Sequence, residues 1–449
     1  MRVSTGGLRF ALFAAALASC ALPVRAEPLT IEHVTLIDGT GRPARADMTV
    51  VIEDHRFQRV VPSALHRPSS GRTIDAAGKF LIPGLMDVHI HLRGSTVISK
   101  DGLRKANASA SQARAEGIAA LHSYLYCGVT SVFDAGNVPD FIFALRDDER
   151  SGRLISPRIF ATGGIVTAPG SHGSGNGSTD IESWPAAKPA LDVHLARKPD
   201  VLKLTYEERG WGARPMIPML DAALMEKTIE YTNDRGIRTT VHISNELRAR
   251  QAIFAGADSL AHPPVQGPVS ESFIKLMGAK RVPMATTLTI GDNYSRLVEH
   301  ADYLDQPFYR ASLSAEEIAS LKSAKREEWS KSLWTAYWKL MTPVAQENVR
   351  KLHDGGAILA LGTDQTSGPA AHREMELLAA AGIPRADQIG IDGSVLVEVG
   401  TAATADGTGI GVVLVADGAC ARNDRRLPAQ LEAAMIKAAI DRSFVEFAR

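Results

Sequence analysis

Short apolar runs bounded by turn residues dominate the first part of the chain. Leu29–Ile37, Met48–Ile52, Phe57–Val61 and Lys79–Ile82 read as strands, separated by Asp38-Gly39, Glu53-Asp54 and Ala77-Gly78. Residues 29–82 therefore predict a small all-β unit. From Gly84 the pattern changes to apolar runs alternating with amphipathic helical stretches. The runs are Leu85–Leu92, Thr130–Asp134, Arg158–Thr162, Val201–Tyr206, Arg238–Ser244, Ser259–His262, Val282–Thr289 and Ala357–Asp364. Helical stretches such as Leu220–Asn233 and Leu247–Ala255 fall between most of them. Eight strand–helix repeats in the α/β class predict a TIM-like (β/α)8 barrel. Residues 291–341 interrupt this pattern after the seventh run. They are polar and helical, with Tyr294, Trp329, Trp334 and Trp338 among their aromatics. Loops after barrel strands lie on the active-site face. The insertion therefore reads either as a lid or substrate wall, or as a packed helical hairpin or oligomer contact. Beyond Ile383, Val395–Val399 and Gly411–Val415 read as strands returning to the N-terminal unit, and Leu427–Ala439 as a last helix.

The N-terminus has its own signature. Arg2 and Arg9 precede the apolar stretch Phe10–Ala18, and Val24-Arg25-Ala26 follows with small residues at cleavage positions. Residues 1–26 thus read as an export signal cut before Glu27, which places the mature protein in the periplasm or outside the cell. The apolar stretch is too short to span a bilayer. Leu17-Ala18-Ser19-Cys20 offers the alternative of a lipoprotein anchored through Cys20.

Composition narrows the field. At 45% hydrophobic and 22% charged, 449 residues can bury a large core. Lys+Arg and Asp+Glu balance at 50 each, which argues against a general electrostatic grip on nucleic acid or anionic membrane. The expected partner is a small-molecule substrate, with no stable membrane insertion; homo-oligomerisation is left open. Three cysteines cannot build a disulfide framework, and Cys127 and Cys420 read as small buried residues.

Chemistry-bearing residues collect at the ends of the barrel runs. His89 and His91 alternate on the first strand, so both imidazoles face one side. Lys203 lies inside Val201-Leu202-Lys203-Leu204, where a free cation is costly. A neutral amine there can react with carbon dioxide to give a carbamate able to bridge two metal ions; the competing reading is a snorkelling lysine. His242, His262 and Asp364 end the fifth, sixth and eighth runs, where barrel enzymes carry catalytic groups. Imidazole and carboxylate donors suit zinc or related divalent ions.

Several runs carry a resemblance. Phe80-Leu81-Ile82-Pro83-Gly84-Leu85-Met86-Asp87-Val88-His89-Ile90-His91 resembles the opening motif of the amidohydrolase superfamily. Gly128–Gly136, Ala255–His262 and Leu361–Asp364 resemble its second, sixth and eighth strands. The branch most similar is that of the imidazolonepropionase-like and prolidase-like metal-dependent hydrolases. This resemblance implies a β-sandwich built from both chain ends. The domain plan is then a signal at 1–26, the first part of the sandwich at 27–82, the barrel at 83–384, and the rest of the sandwich with a final helix at 385–449. The tail is atypical, because Ile389–Gly409 is rich in Gly, Thr and Ala and lacks the family's long helix.

The implied activity is binuclear hydrolysis of an amide-type bond, in a dipeptide, an N-acyl amino acid or a similar small molecule. His89, His91 and Asp364 would hold one of two divalent ions, most simply zinc. His242 and His262 would hold the other. Carboxylated Lys203 would bridge them with the attacking hydroxide, and Asp364 would move the proton to the leaving amine. His172 and Tyr206 are candidate substrate contacts or ordinary loop residues, and His372 reads as packing on the eighth helix. Three alternatives remain: a mononuclear deaminase or cyclic-amidine hydrolase, a lactone or phosphotriester hydrolase, and a barrel that binds without catalysing.

Overall fold

The computed structural model describes residues 28–39, 42–53, 56–68, 70–94, 109–175, 177–212, 216–383 and the backbone of 412–416. The proposed signal, Cys20, Cys420, Val395–Val399 and Leu427–Ala439 lie outside the described residues.

Five strands form the N-terminal unit: β1 (Leu29–Leu36), β2 (Arg45–Glu53), β3 (Arg56–Pro62), β4 (Arg72–Asp75) and β5 (Lys79–Pro83). Antiparallel β1–β2–β3 pairing sets the register, with Ile31 opposite Val50. β4 and β5 both run parallel to β1. β4 escapes the sequence pattern because Arg-Thr-Ile-Asp offers only Ile74 to the core. Val34, Val50, Ile74 and Leu81 bury together beneath this sheet.

The barrel strands are β6 (Leu85–Ile90), β7 (Val129–Asp134) and β8 (Arg158–Ala161), then β11 (Val201–Thr205), β12 (Arg238–His242), β13 (Ser259–Leu260), β14 (Met284–Ala285) and β15 (Leu359–Ala360). Two short strands, β9 (Val166–Thr167) and β10 (Thr179–Asp180), extend the sheet beside β11. Strand β16 (Val412–Ala416) then returns antiparallel to β5, from Val412 opposite Pro83 to Ala416 opposite Lys79. That pairing carries the expected return of the chain to the N-terminal unit, one residue later than Gly411–Val415.

The eight barrel strands run parallel, with seams closed by direct hydrogen bonds. Asp200 N donates to Ala161 O (2.9 Å) at one seam, and Val88 N to Leu361 O (2.9 Å) at the other. Helices α1 (Ala110–Tyr126), α2 (Pro139–Ser151), α3 (Trp184–Leu195), α4 (Ala222–Asn233), α5 (Glu246–Phe254) and α6 (Glu271–Lys280) follow successive strands. Ser109, Asp221, Asn245 and Ser270 start α1, α4, α5 and α6 by accepting first-turn N–H bonds. No helix among the described residues is long and apolar enough to cross a membrane.

One expected strand is corrected. Val282–Thr289 is extended only at Met284–Ala285, and a helix, α7 (Leu288–Glu299), follows at once. The buried carboxylate of Glu374 takes the N–H groups of Leu288 (2.9 Å) and Thr289 (2.7 Å), which converts the end of that run into a helix start. Glu374 lies on α12 (Pro369–Ala380), the eighth barrel helix.

The insertion is helical. It contains α7 (Leu288–Glu299), α8 (Pro307–Ser312), α9 (Ala315–Ser320), α10 (Arg326–Ser330) and α11 (Leu333–Asp354). α7 packs closely on α11 at Gly291, where a Cβ would stand 2.5 Å from the Trp338 ring and from Thr342 Oγ1.

Candidate metal centre

Five imidazoles form a continuous row across the mouth of the barrel. Ring centroids lie 5.4 Å apart for His91–His89, 4.4 Å for His89–His262, 4.5 Å for His262–His242 and 4.4 Å for His242–His172. Three of the five, His89, His242 and His262, are held uncharged by their surroundings. Burial, together with Lys203, holds His89 well below the ordinary histidine range. Burial and its histidine neighbours do the same for His262. Burial, with His172 next, lowers His242 to about 3.

Second contacts fix which nitrogen faces inward. His89 Nδ1 lies 3.1 Å from Ala261 O, His91 Nδ1 2.7 Å from Gly136 O, and His262 Nδ1 2.9 Å from Thr287 Oγ1. With Nδ1–H donated outward, each Nε2 lone pair is left to point at the centre, the usual arrangement around metal-bound histidines. Asp134 supports His91 indirectly. It accepts from Leu92 N (2.8 Å), Gly136 N (3.1 Å) and Asn137 Nδ2 (2.8 Å), and so holds the Gly136 carbonyl that His91 uses. Gly136 has φ +156°, and a Cβ there would meet Ile165 at 2.5 Å.

Asp364 closes the row. Its Oδ1 lies 3.3 Å from His91 Nε2 and 3.8 Å from His89 Nε2. Its amide donates to His89 O at 2.7 Å, and its φ of 53° turns the carboxylate towards the cavity. Burial raises its pKa. Behind it, Asp87 accepts from Thr363 N (3.0 Å), Thr363 Oγ1 (2.7 Å) and His89 N (3.2 Å), tying the end of the eighth strand to the first; burial pushes its carboxyl up to about 8. Lys203 is 2% exposed, with Nζ 3.3 Å from His89 Nε2. Burial lowers it to about 7, so much of it is an uncharged amine near neutral pH. This is a lining group of the site, not a snorkelling one.

All six side chains expected as ligands therefore gather at the barrel mouth. Ligand atoms of His89, His262 and Asp364 lie within 4.8 Å of one another, and so do those of His172, Glu207 and His242. Glu207 was not anticipated. Strand parity explains it: Lys203, Thr205 and Glu207 alternate onto the inner face, whereas Tyr206 turns out. Tyr206 is accordingly corrected as a substrate contact. Its hydroxyl donates to Gln251 Oε1 (3.2 Å) among the surrounding helices, away from the cavity. His372 packs as expected, with Nε2 2.8 Å from Cys127 O.

Glu207 is fully buried. One oxygen accepts the Trp211 amide at 2.8 Å, and the other lies 2.9 Å from His172 Nδ1 and 3.3 Å from His242 Nε2. Burial opposes its ionisation, but the two imidazoles outweigh burial and hold it well below the ordinary carboxylate range. Trp211 covers the row, with centroids 4.6 Å from His242 and 4.3 Å from His262. Tyr337 on α11 donates to the Trp211 carbonyl and holds this loop down.

In front of the row lies a cavity of ≈ 430 Å³. Lys203, Thr205, His172 and Asp364 line its floor, and Ile290, Tyr294, Trp329, Trp334 and Trp338 from the insertion line its wall. The insertion is thus a cavity wall, as one of its two readings required. Lys325 and Glu328, paired at 3.0 Å, are the charged groups of that wall.

Comparison with known proteins bears on the fold and the family. An 82-residue stretch, 18% of the chain, is 32% identical to a dihydroorotase of Thermoanaerobacter sp. (strain X514), and it spans only 18% of that protein's length. A solved Xaa-Pro dipeptidase with bound methionine superposes with a TM-score of 0.61 at 20% identity, over 81% of this chain and 86% of that one. A prolidase complexed with N-methylphosphonate-L-proline superposes with a TM-score of 0.64 at 18% identity, over 93% and 97%. At such identities the likeness is one of fold. Residues 80–416, most of the sequence, match the amidohydrolase family, and the chain belongs to that family.

Proposed function

We propose that the protein is a binuclear metal-dependent hydrolase of amide-type bonds in small molecules that present an apolar face. The observation that carries this reading is the inward-facing donor set His89, His91, His242, His262 and Asp364 around buried Lys203, at the floor of a cavity with an aromatic wall. The donors fit divalent ions, since the three Nδ1-tethered imidazoles leave Nε2 free and the carboxylate faces them. Such ions would supply Lewis-acid polarisation of the scissile carbonyl and a lowered pKa for water.

The remaining work falls to side chains. Asp364, facing the cavity with a raised pKa, takes the proton of the attacking water and returns it to the leaving amine. An amine leaving group needs that proton, because an amide anion is a poor leaving group. Lys203, uncharged in a large fraction of molecules, is suited to carbamate formation. Tyr294, Trp329, Trp334 and Trp338 offer apolar area to one side of the substrate and exclude water from it. The Xaa-Pro dipeptidase and prolidase relatives make Xaa-Pro dipeptides the first substrates to try.

The test is hydrolysis of a panel by zinc-loaded enzyme: Xaa-Pro and other dipeptides, N-acyl amino acids, a lactone and a phosphotriester. Chelation should abolish amide cleavage, and zinc, cobalt or manganese should restore it. Cleavage of the lactone or phosphotriester alone would overturn the amide reading.

A further inference from the structure

The insertion sets a charged pair into an otherwise apolar wall. A single π-helical turn, Leu321–Lys325, joins α9 to α10, and the residues at both junctions keep helical backbone, so 315–330 runs as one continuous helix. A π turn carries one extra residue and rotates the face that follows it by about 100°. Such turns are frequent at functional sites. After this one, Lys325, Glu328 and Trp329 stand at i, i+3 and i+4, the spacing of one helix face, and all three line the cavity. The helix is held in place at two points. Arg93, just after the first barrel strand, donates to Glu317 on α9 and to Thr366 Oγ1 (3.2 Å), and Arg326 Nε donates to Val298 O on α7 (2.9 Å).

Lys325 Nζ donates to both Glu328 oxygens at 3.0 Å. A partly exposed i,i+3 pair adds little to stability, and such pairs ordinarily face solvent. This one faces the cavity beside Tyr294, Trp329 and Trp334. The Lys325 side chain is 28% exposed and that of Glu328 44%, so the carboxylate is the looser partner. Lys325 Nζ also lies 5.4 Å from the centroid of the Trp329 ring, which steadies the ammonium against the wall. Tyr294 packs on that same ring at 4.4 Å. The other lysine of the cavity, Lys203, sits deep on its floor with Nζ 3.3 Å from His89 Nε2. The wall therefore holds a cation whose counter-ion can turn out to solvent, next to apolar area for a ring or an aliphatic chain. A substrate carboxylate fits the place that Glu328 fills, whereas a substrate ammonium would be repelled by Lys325.

We propose that Lys325 is a specificity-determining residue that selects substrates bearing a free carboxylate beside an apolar group, with Glu328 as the internal carboxylate that the substrate displaces. The proposal rests on the amide reading above, because it names the charge of that substrate, but its test reads binding and not turnover. Quenching of tryptophan fluorescence in the full-length protein is titrated with N-acetyl-L-phenylalanine and with its neutral carboxamide. Titrations with and without chelator separate binding at the wall from binding to a metal ion. The wild type should bind the acid on the order of tenfold more tightly than the carboxamide in both conditions. Lys325→Met should bring the ratio of the two affinities close to one, and Lys325→Arg should keep the preference. Glu328→Gln removes the competing carboxylate and should tighten binding of the acid, an effect that a merely structural pair would not produce. Equal affinities in the wild type, binding of neither ligand, or an undiminished acid preference in Lys325→Met would overturn the proposal and leave the amide reading to the hydrolysis panel. Preference for phenethylamine over the acid, abolished in Glu328→Gln, would overturn it in favour of an ammonium-bearing substrate. Failure of the whole hydrolysis panel would remove the amide reading without altering the binding preference.

Discussion

Replacing Lys203 by Met should make the metal-free protein more stable and the enzyme inactive. Lys203 is fully buried and its pKa falls from 10.5 to about 7, with burial as the dominant cause. A lysine whose folded-state pKa lies below its unfolded value binds fewer protons when folded. Its penalty is therefore full below the folded value and fades as pH rises towards the unfolded one. The drop corresponds to a cost of about 4 kcal/mol at pH 7 and about 2 kcal/mol at pH 9. Methionine has similar volume and carries no charge to desolvate. Urea unfolding of chelator-treated protein should show Lys203→Met more stable than wild type at pH 7, with the gap narrowing by about 2 kcal/mol at pH 9. Activity of the metal-loaded variant should be lost, and in Lys203→Ala short carboxylic acids should restore part of it by standing in for the carbamate. A variant less stable than wild type at pH 7 would refute the burial argument. Wild-type turnover would refute the role given to the amine.

Two further substitutions probe the acid–base group and the cavity wall. Asp364→Asn suits the left-handed backbone at this position, since Asn tolerates φ near 53°, so the variant should fold and keep metal while turnover falls by on the order of 10²–10⁴; near-wild-type turnover on a confirmed amide substrate would assign the proton transfer elsewhere. Glu374→Ala strands the buried Leu288 and Thr289 amides and should cost about 3–5 kcal/mol, a fall in Tm of roughly 3–5 °C for a chain of this length, together with a raised KM because α7 carries Ile290 and Tyr294 into the cavity; an unchanged Tm would show that α7 needs no carboxylate.

Much of the barrel was legible because its strands are short apolar runs ending in polar groups with chemistry to do. β6, β7, β8, β11 and β12 fall within a residue or two of their expected ends, and His89, Lys203 and His242 sit on them. The later strands narrow to two residues each, because the chain leaves the ladder early to form the site. Apolar content does not reveal such an exit. Leu288 and Thr289 look like strand residues until Glu374, 86 and 85 positions away, supplies the acceptors that start a helix. Long-range satisfaction of backbone donors of this kind has no local signature.

Glu207 was hidden for a different reason. Glu207-Glu208-Arg209-Gly210 has the composition of a solvated turn, yet even Glu208 is largely buried, pairing with Arg248 at 2.9 Å. Yet extending the strand parity from Lys203 by two steps puts Thr205 and then Glu207 on the inner face, and moves Tyr206 off it. The signal was present in the register, not in the residue types. That distinction bears on the site's chemistry. A carboxylate four residues after the buried lysine adds one negative charge beside His242, on the side of the centre opposite Asp364. Residue types along the sequence find the histidines and Asp364, but only the register finds a carboxylate held between His172 and His242.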